Sequence, residues 1–273
     1  MTLKQMMCSE MLDAIIITGR SVCGASHIRT GKICQDYHMI TRTPDYAIIS
    51  VADGHGSSSC PYSDEGAKIA TDVFCEFMKS YYLGNVAEGL RALISQESEI
   101  KIPQKIENEW KRRVLDQHKK VDSGTSDDDE IFKLYGTTLL GLLLTKDFAF
   151  AFQLGDGDIT CVDSDVVAPV TEAEKILGVE THSLSSCDAW KHSAVAIKNI
   201  CNEQTFLYIL STDGMFNSYS SREEFYKACR DYYDIFTNEG AAYINKNLTD
   251  WLNEVTAQGS GDDVTAIFAY HSL

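Results

Sequence analysis

Apolar and polar residues follow two different periods along this chain, and these periods predict strands and helices. Short apolar or alternating runs rich in β-branched and aromatic residues are typical of packed strands. They predict strands over 13–19, 46–52, 137–145, 148–154, 158–162, 193–198, 205–211 and 264–270. Apolar residues spaced three and four positions apart predict helices between these blocks. The predicted helices run from a cap at Ser63 through Met78, over 86–98, from Pro103 to Asp122, from a cap at Ser221 to Tyr232, and over about 238–256.

Two segments follow neither period. Ser123 to Glu130 (SGTSDDDE) is polar and acidic, which predicts a solvated loop. Cation binding by its aspartates is the alternative, although three adjacent side chains point in different directions. The stretch from Pro169 to His192 is irregular. A loop of this length inside a compact domain is more often functional than idle, so we expect it to border a site.

Composition and charge narrow the class of protein. With 273 residues, 44% of them hydrophobic, the chain can bury the core of one large domain or two smaller ones. The formal net charge of −16 opposes binding to nucleic acid or to anionic lipid, because both attract clustered Lys and Arg. The longest apolar run, Leu139 to Leu144, is far shorter than the ~20 residues of a membrane span. Without a signal pattern at the N-terminus, we expect a cytoplasmic protein with reduced, buried cysteines.

Aspartates lie at the ends of several predicted strands, each beside a glycine. The run Ala47 to Gly56 (AIISVADGHG) ends an apolar strand on Asp53 and His55, and GDGD, STDG and GDDV repeat the pattern later. One Asp-Gly pair at a strand end is usually only a turn. If these ends converge, the carboxylates repel each other strongly unless cations lie between them. Oxygen ligands of this kind are typical of Mg²⁺ or Mn²⁺ sites.

The ordered set of motifs resembles the metal-dependent protein phosphatases of the 2C type. It comprises DGHG (53–56), GTT (136–138), GDGD (155–158), STDG (211–214) and GDDVT (261–265), preceded by GASH (24–27) and CQD (34–36), which are similar to the bacterial branch. The match covers roughly 24 to 270. It implies a single phosphatase domain over 1–273 with an α+β fold. That fold is a four-layer α-β-β-α sandwich of two stacked, mainly antiparallel β-sheets, with a dinuclear metal site at one edge.

The resemblance also implies roles for individual residues. Two Mg²⁺ or Mn²⁺ ions, with a weaker third, are expected to be held by Asp36, Asp53, Gly54 (through its carbonyl), Asp156, Asp213 and Asp262. Asp53 would bridge the two ions. His55 matches the position that protonates the leaving alkoxide, although it could also merely shape the turn. Among the cations near the start of the chain, Arg29 is the first candidate for binding phosphate, and a solvated surface role is the alternative.

Some residues depart from the family pattern. GDGD lacks the usual arginine and adds a charge at Asp158, Asn217 replaces a carboxylate, and Asp263 replaces the usual asparagine after Asp262. The first two put the third metal in doubt. The predicted function is hydrolysis of phosphoserine or phosphothreonine in a phosphoprotein by a metal-activated water. A phosphatase-like binding or regulatory module without activity is the alternative, which the retained Asp53, Asp213 and Asp262 disfavour.

Overall fold

The computed structural model describes residues 15–85, 89–121, 127–172, 181–201 and 203–272. In these ranges the strands form two five-stranded sheets in which every pair of neighbours is antiparallel. The first sheet has the order β1-β10-β9-β6-β7, and the second has the order β2-β3-β4-β5-β8. The strands are β1 (Ile15–Val22), β2 (Tyr37–Arg42), β3 (Tyr46–Ala52), β4 (Leu139–Thr145), β5 (Phe148–Leu154), β6 (Asp158–Asp163), β7 (Val167–Pro169), β8 (Ala194–Asn199), β9 (Phe206–Ser211) and β10 (Val264–His271).

Helices cover the outer faces of both sheets. They are α1 (Ala25–Thr30), α2 (Ser63–Asn85), α3 (Leu90–Glu97), α4 (Lys101–Val121), α5 (Asp128–Leu134), α6 (Asp213–Phe216), α7 (Arg222–Glu239) and α8 (Ala241–Gln258), with a 3₁₀ turn at Ala189–His192. None of the described helices is both long and apolar enough to cross a bilayer. The described cysteines are free thiols, but the expectation that they are buried holds only for Cys75 and Cys229, since the others are partly or fully exposed.

The continuous burial of β4 explains how the layers are built. Its residues Leu139 and Leu143 belong to a core cluster shared with α2 and α4, whereas Leu140 and Leu142 belong to the cluster between the two sheets. Successive side chains of a strand point to opposite faces, so one apolar run supplies both layers. A third cluster joins α7 and α8 to the first sheet. These three cores make the predicted four-layer α-β-β-α sandwich.

Glycines allow the helical layer to approach the second sheet closely. A Cβ at Gly141 would overlap the ring of Phe74 on α2, so the ring lies directly against the backbone of β4. On the other side of α2, the carbonyl of Gly66 accepts a hydrogen bond of 3.0 Å from Nε1 of Trp110. Trp110 is fully buried. The packing therefore fixes the height of α2 above the sheet, and α2 begins next to the aspartate-rich loops.

The acidic stretch is partly helical, which corrects the prediction of a solvated loop over 123–130. Asp127 caps α5 by accepting hydrogen bonds from the backbone N–H groups of Asp129 and Glu130. Acidic residues in a first turn interact favourably with the positive end of the helix dipole. The side chains of Ile131 and Phe132, which follow in the helix, are buried in the core. Residues 122–126 lie outside the described ranges.

Other boundaries also differ from the predictions. The strand β2 was missed because it is an edge strand with only intermediate or exposed positions, so its apolar period is weak. Ser63 does not cap α2 but is its first residue, and its Oγ accepts from the Gly56 N–H and donates to Oε1 of Gln35. Ser221 caps α7 as predicted, accepting from the Glu224 N–H. Of the helix predicted over 86–98, α3 begins at Leu90, and residues 86–88 lie outside the described ranges.

Candidate metal centre

The aspartates at strand ends meet at one edge of the sandwich because neighbouring strands are antiparallel. The end of β3 pairs with the start of β2, and Ala52 lies opposite Tyr37. In the other sheet the end of β9 pairs with the starts of β10 and β6. The chain therefore brings Asp36 and Asp53 to this edge from one sheet. It brings Asp213 and Asp262 there from the other, as the sequence predicted.

Asp53 is held by the GTT segment. Its backbone carbonyl accepts hydrogen bonds from Oγ1 of Thr137 at 2.8 Å and from the N–H of Thr138 at 2.9 Å, and its N–H donates to Oγ1 of Thr138 at 3.0 Å. The next residue, Gly54, lies so close to the carbonyls of Ser63 and Gln35 that a Cβ would overlap them. Sequence analysis assigned no role to these threonines, although their place in the motif set was a signal.

Asp36 is buried, with 6% of its surface exposed. One carboxylate oxygen, Oδ2, accepts a hydrogen bond of 2.7 Å from Oγ1 of Thr212, and this contact joins the two sheets at the site. Thr212 is itself held by the N–H of Thr265, which donates to the same Oγ1 at 3.0 Å. The other oxygen, Oδ1, is buried without a hydrogen-bond partner among the described residues. A buried acceptor of this kind is costly unless a cation or proton lies against it.

The carboxyl groups strongly perturb each other's ionisation. Burial, followed by the charges of Asp36 and Asp213, raises the pKa of Asp53 well above its ordinary range. Burial is also the main cause that raises the pKa of Asp36 to about 8 and that of Asp213 to about 6. Asp213 is among the groups that raise the pKa of Asp53, and the charges of Asp156 and Asp262 in turn raise that of Asp213, so the carboxyl groups of this edge oppose each other's ionisation.

The residues present fit divalent cations. Asp36 Oδ1 is a buried oxygen without a described partner, the carboxyl groups repel each other when ionised, and the ligands are all oxygen atoms. Such ligands favour Mg²⁺ or Mn²⁺ over softer metals. Asp262 and Asp156 are exposed at the rim, and the charge of Asp156 acts on Asp213. All the aspartates that were predicted to bind metal thus face one region.

The ring of His55 lies against the GTT segment. A Cβ at Gly136 would come within 2.6 Å of Cδ2 of this ring, and the His55 N–H donates to the Gly136 carbonyl at 3.2 Å. Burial lowers the pKa of His55, and the charge of Asp156 opposes that shift. The described part of the irregular segment contacts the same motif, because the N–H of Leu184 donates to the Thr137 carbonyl at 2.9 Å.

Comparison with known proteins identifies the architecture. The model of the family described as Protein phosphatase 2C matches residues 23–253, which is most of the chain. The chain belongs to the protein phosphatase 2C family. A comparison with curated protein sequences gave no match.

Solved structures of phosphatases share the fold of this 2C family member. The S. agalactiae serine/threonine phosphatase is 16% identical with a TM-score of 0.64, covering 94% of this chain and 100% of that one. A bacterial serine phosphatase is 13% identical with a TM-score of 0.61, covering 94% and 98%. The catalytic domain of the phosphatase PstP in complex with two manganese ions is 12% identical with a TM-score of 0.56, covering 94% and 97%. At these identities the likeness shows the fold.

Two departures of this family member are explained by hydrogen bonds. Asp158, which replaces the motif's arginine, is buried, and its Oδ1 forms an ion pair of 2.8 Å with Nη1 of the partly exposed Arg222 at the start of α7. The added charge predicted from GDGD is therefore neutralised. Asn217 donates from Nδ2 to Oδ2 of Asp213 at 2.8 Å. The amide thus supports Asp213 in place of a further repelling carboxylate.

The cations near the start of this phosphatase 2C chain occupy different environments. Arg29 is exposed on α1 and donates to Oγ of Ser26 at 3.0 Å. Lys32 reaches across the loops to donate to the Gly56 carbonyl at 3.0 Å. Nδ1 of His27 already pairs with Oδ1 of Asp263 at 2.9 Å. Asp263 also accepts from the N–H groups of Gly24 and Gln35, so it anchors the segment before Asp36.

We predict that metal-free protein loses stability as the pH rises. The folded pKa of Asp36 is raised to about 8 from the 3.8 of an unperturbed carboxyl, so between these values the folded state binds more protons than the unfolded state. The free energy of unfolding then falls with increasing pH, by at most about 1.4 kcal/mol per pH unit for one group. Asp36→Asn removes this titrating group. The free energy of unfolding of this variant, measured by chemical denaturation in EDTA, should therefore fall less steeply between pH 5 and 8 than that of the unmodified protein.

The exposed Asp250→Asn on α8 is the matched control, because it removes a carboxylate far from these loops, and its curve should run parallel to that of the unmodified protein. If the free energy of unfolding of Asp36→Asn depends on pH as steeply as that of the unmodified protein, the electrostatic account of the site is contradicted.

Proposed function

We propose that this protein is a metal-dependent phosphoprotein phosphatase that hydrolyses phosphoserine or phosphothreonine with two Mg²⁺ or Mn²⁺ ions. The observation that supports it most is the convergence of buried Asp36 with half-buried Asp53 and Asp213, whose pKa values are all raised. Membership of the 2C family supports a phosphatase activity independently. The expected substrate is a phosphoprotein.

Each ligand has a proposed role. Asp53 would be a ligand of both ions, the Gly54 carbonyl would add a ligand to the first, and Asp213 and Asp262 would hold the second. Asp36 would hold water bound to these ions, and Asp156 would hold a weaker third ion. When bound, two such ions neutralise phosphate oxygens, lower the pKa of water and stabilise the charge of an in-line displacement. No covalent nucleophile is required.

The protein's own residues must position the phosphate ester and supply a proton. His55 is proposed to protonate the leaving serine or threonine oxygen. Burial lowers its pKa, which opposes this role, but Asp156 and the arriving phosphate both favour the imidazolium. The tight fit of its ring against Gly136 holds the imidazole in one position beside the Asp53 loop.

Arg29 is proposed to bind the phosphate. Its guanidinium can contact two phosphate oxygens at once, whereas an ammonium acts as a point charge. Its guanidinium donates an exposed hydrogen bond to the hydroxyl of Ser26, and a phosphate oxygen can replace that acceptor. Lys32 is the competitor, although its Nζ already binds the Gly56 carbonyl.

The first experiment tests whether the protein is a metal-dependent phosphatase. Hydrolysis of p-nitrophenyl phosphate should need Mn²⁺ or Mg²⁺ and stop in EDTA. Asp53→Asn should lower kcat by at least ~100-fold, because a bridging ligand acts on both ions and an amide balances no positive charge. Asp250→Asn should be as active as the unmodified protein.

Full turnover in excess EDTA would refute metal dependence. A folded protein that binds Mn²⁺ but turns over no phosphomonoester would instead support the phosphatase-like binding module.

The second experiment concerns His55. If His55 protonates the leaving group, His55→Gln should slow phosphoserine peptides by roughly 10²–10⁴-fold, the usual size of general-acid catalysis. Hydrolysis of p-nitrophenyl phosphate should be affected far less, because its phenolate leaves without a proton. Steady-state kcat on both substrates is the measurement. Equal losses on the two substrates would assign His55 to shaping the turn that presents Asp53.

The third experiment tests which side chain, Arg29 or Lys32, binds the phosphate. Arg29→Ala should raise KM for a phosphopeptide roughly tenfold or more, the effect of losing a hydrogen bond to a charged group. Arg91→Ala on α3, also an exposed arginine, is the matched control and should leave KM unchanged. If Lys32→Ala raises KM and Arg29→Ala does not, the phosphate-binding role belongs to Lys32.

A further inference from the structure

A second group of metal-binding side chains lies beside the proposed centre but has different chemistry. Cys23, His27 and Asp263 each offer a ligand atom, and these atoms all lie within 4.8 Å of one another. Cys23 lies just before α1, His27 lies within α1 four residues later, and Asp263 comes from the loop before β10. Two distant parts of the chain therefore place sulfur, nitrogen and oxygen atoms around one point.

The type of ligand distinguishes this group from the aspartates. Thiolate and imidazole ligands are typical of Zn²⁺ sites, whereas Mg²⁺ and Mn²⁺ favour oxygen ligands. Both Cys23 and His27 are partly exposed, so an ion can reach them and solvent can complete the coordination. We propose that Cys23, His27 and Asp263 form a Zn²⁺ site next to the phosphatase centre.

The orientation of His27 supports the proposal. Its Nδ1 lies 2.9 Å from Oδ1 of Asp263, and its Nε2 lies 4.0 Å from Oδ1 of Asp262. Histidines that bind zinc through one nitrogen commonly donate the other N–H to a carboxylate, which fixes the ring. With zinc at Nδ1, the Nε2–H group faces Asp262. The site would thus be coupled to a proposed ligand of the catalytic ions.

The hydrogen bonds of Asp263 show what zinc would replace. Oδ2 accepts from the Gln35 N–H, and Oδ1 accepts from both the Gly24 N–H and His27, so only the contact with His27 has to give way. The family pattern has asparagine at this position, and only a carboxylate supplies an anionic oxygen.

Cobalt is a suitable probe, because a Co²⁺–thiolate bond gives a near-ultraviolet charge-transfer band that oxygen ligands do not give. The whole chain is first stripped of metal with a chelator, and the chelator is then removed. Titration of this protein with Co²⁺ should produce the band, and addition of Zn²⁺ should abolish it. Cys23→Ser should eliminate the band. Asp263→Asn and His27→Gln should weaken Zn²⁺ binding by at least about 10- to 100-fold, the range known for losing a residue that merely supports a ligand.

Two cysteines provide matched controls. Cys187→Ser removes an exposed thiol, and Cys34→Ser removes a partly buried thiol whose Sγ contacts the Val22 and Asp36 carbonyls. Both variants should keep the band. No band in the unmodified protein, or a band that survives Cys23→Ser, would overturn the proposal. If Cys23→Ser does not fold, judged by thermal melting without metal, Asp263→Asn and His27→Gln decide the question. These measurements involve no turnover, so their failure is distinguishable from failure of the proposed phosphatase function.

Discussion

Repulsion among buried carboxylates is the constraint on which this edge of the molecule depends. Apolar strands end at the same place, and each delivers an aspartate that water cannot fully solvate. In water such charges would be weakly coupled, but here burial raises the pKa of Asp53, Asp36 and Asp213 together. Hydrophobic packing in three core layers outweighs this local cost and keeps the groups close. The fold therefore holds an anionic site that a dication can stabilise.

Threonine hydroxyls control the geometry of this site. Thr137 and Thr138 bind both polar groups of the Asp53 backbone, while Thr212 binds the Asp36 carboxylate and receives the Thr265 N–H. Their hydroxyls act as donor and acceptor at once, so one side chain can join a carboxylate to a neighbouring strand. These hydrogen bonds therefore hold the carboxyl groups close together at the site, although the carboxyl groups themselves repel each other.

The sequence predicted the architecture well, for physical reasons, whereas the metal-binding roles of the aspartates stay predictions. Strongly buried strands such as β3, β4 and β5 have continuous apolar runs, and the ordered motifs at their ends are specific to the family. Prediction was weaker where long-range contacts decide the outcome. The strand β2 is half-exposed and gives little periodic signal, and α5 is specified by the cap at Asp127 rather than by apolar spacing. The ion pair between Asp158 and Arg222 joins residues 64 positions apart, which no local pattern reveals.

This ion pair bears on how the sequence could have diverged from its relatives. If an ancestor carried arginine at position 158, changing it alone to aspartate would have set a carboxylate at a buried point, and acquiring Arg222 alone would have set two guanidinium groups against each other. Breaking one partner of a buried pair is typically strongly destabilising. The two side chains are therefore coupled, so the effect of changing one depends on the residue at the other position. An arginine reintroduced at position 158 would meet the guanidinium of Arg222, so restoring the family motif also calls for a change at position 222.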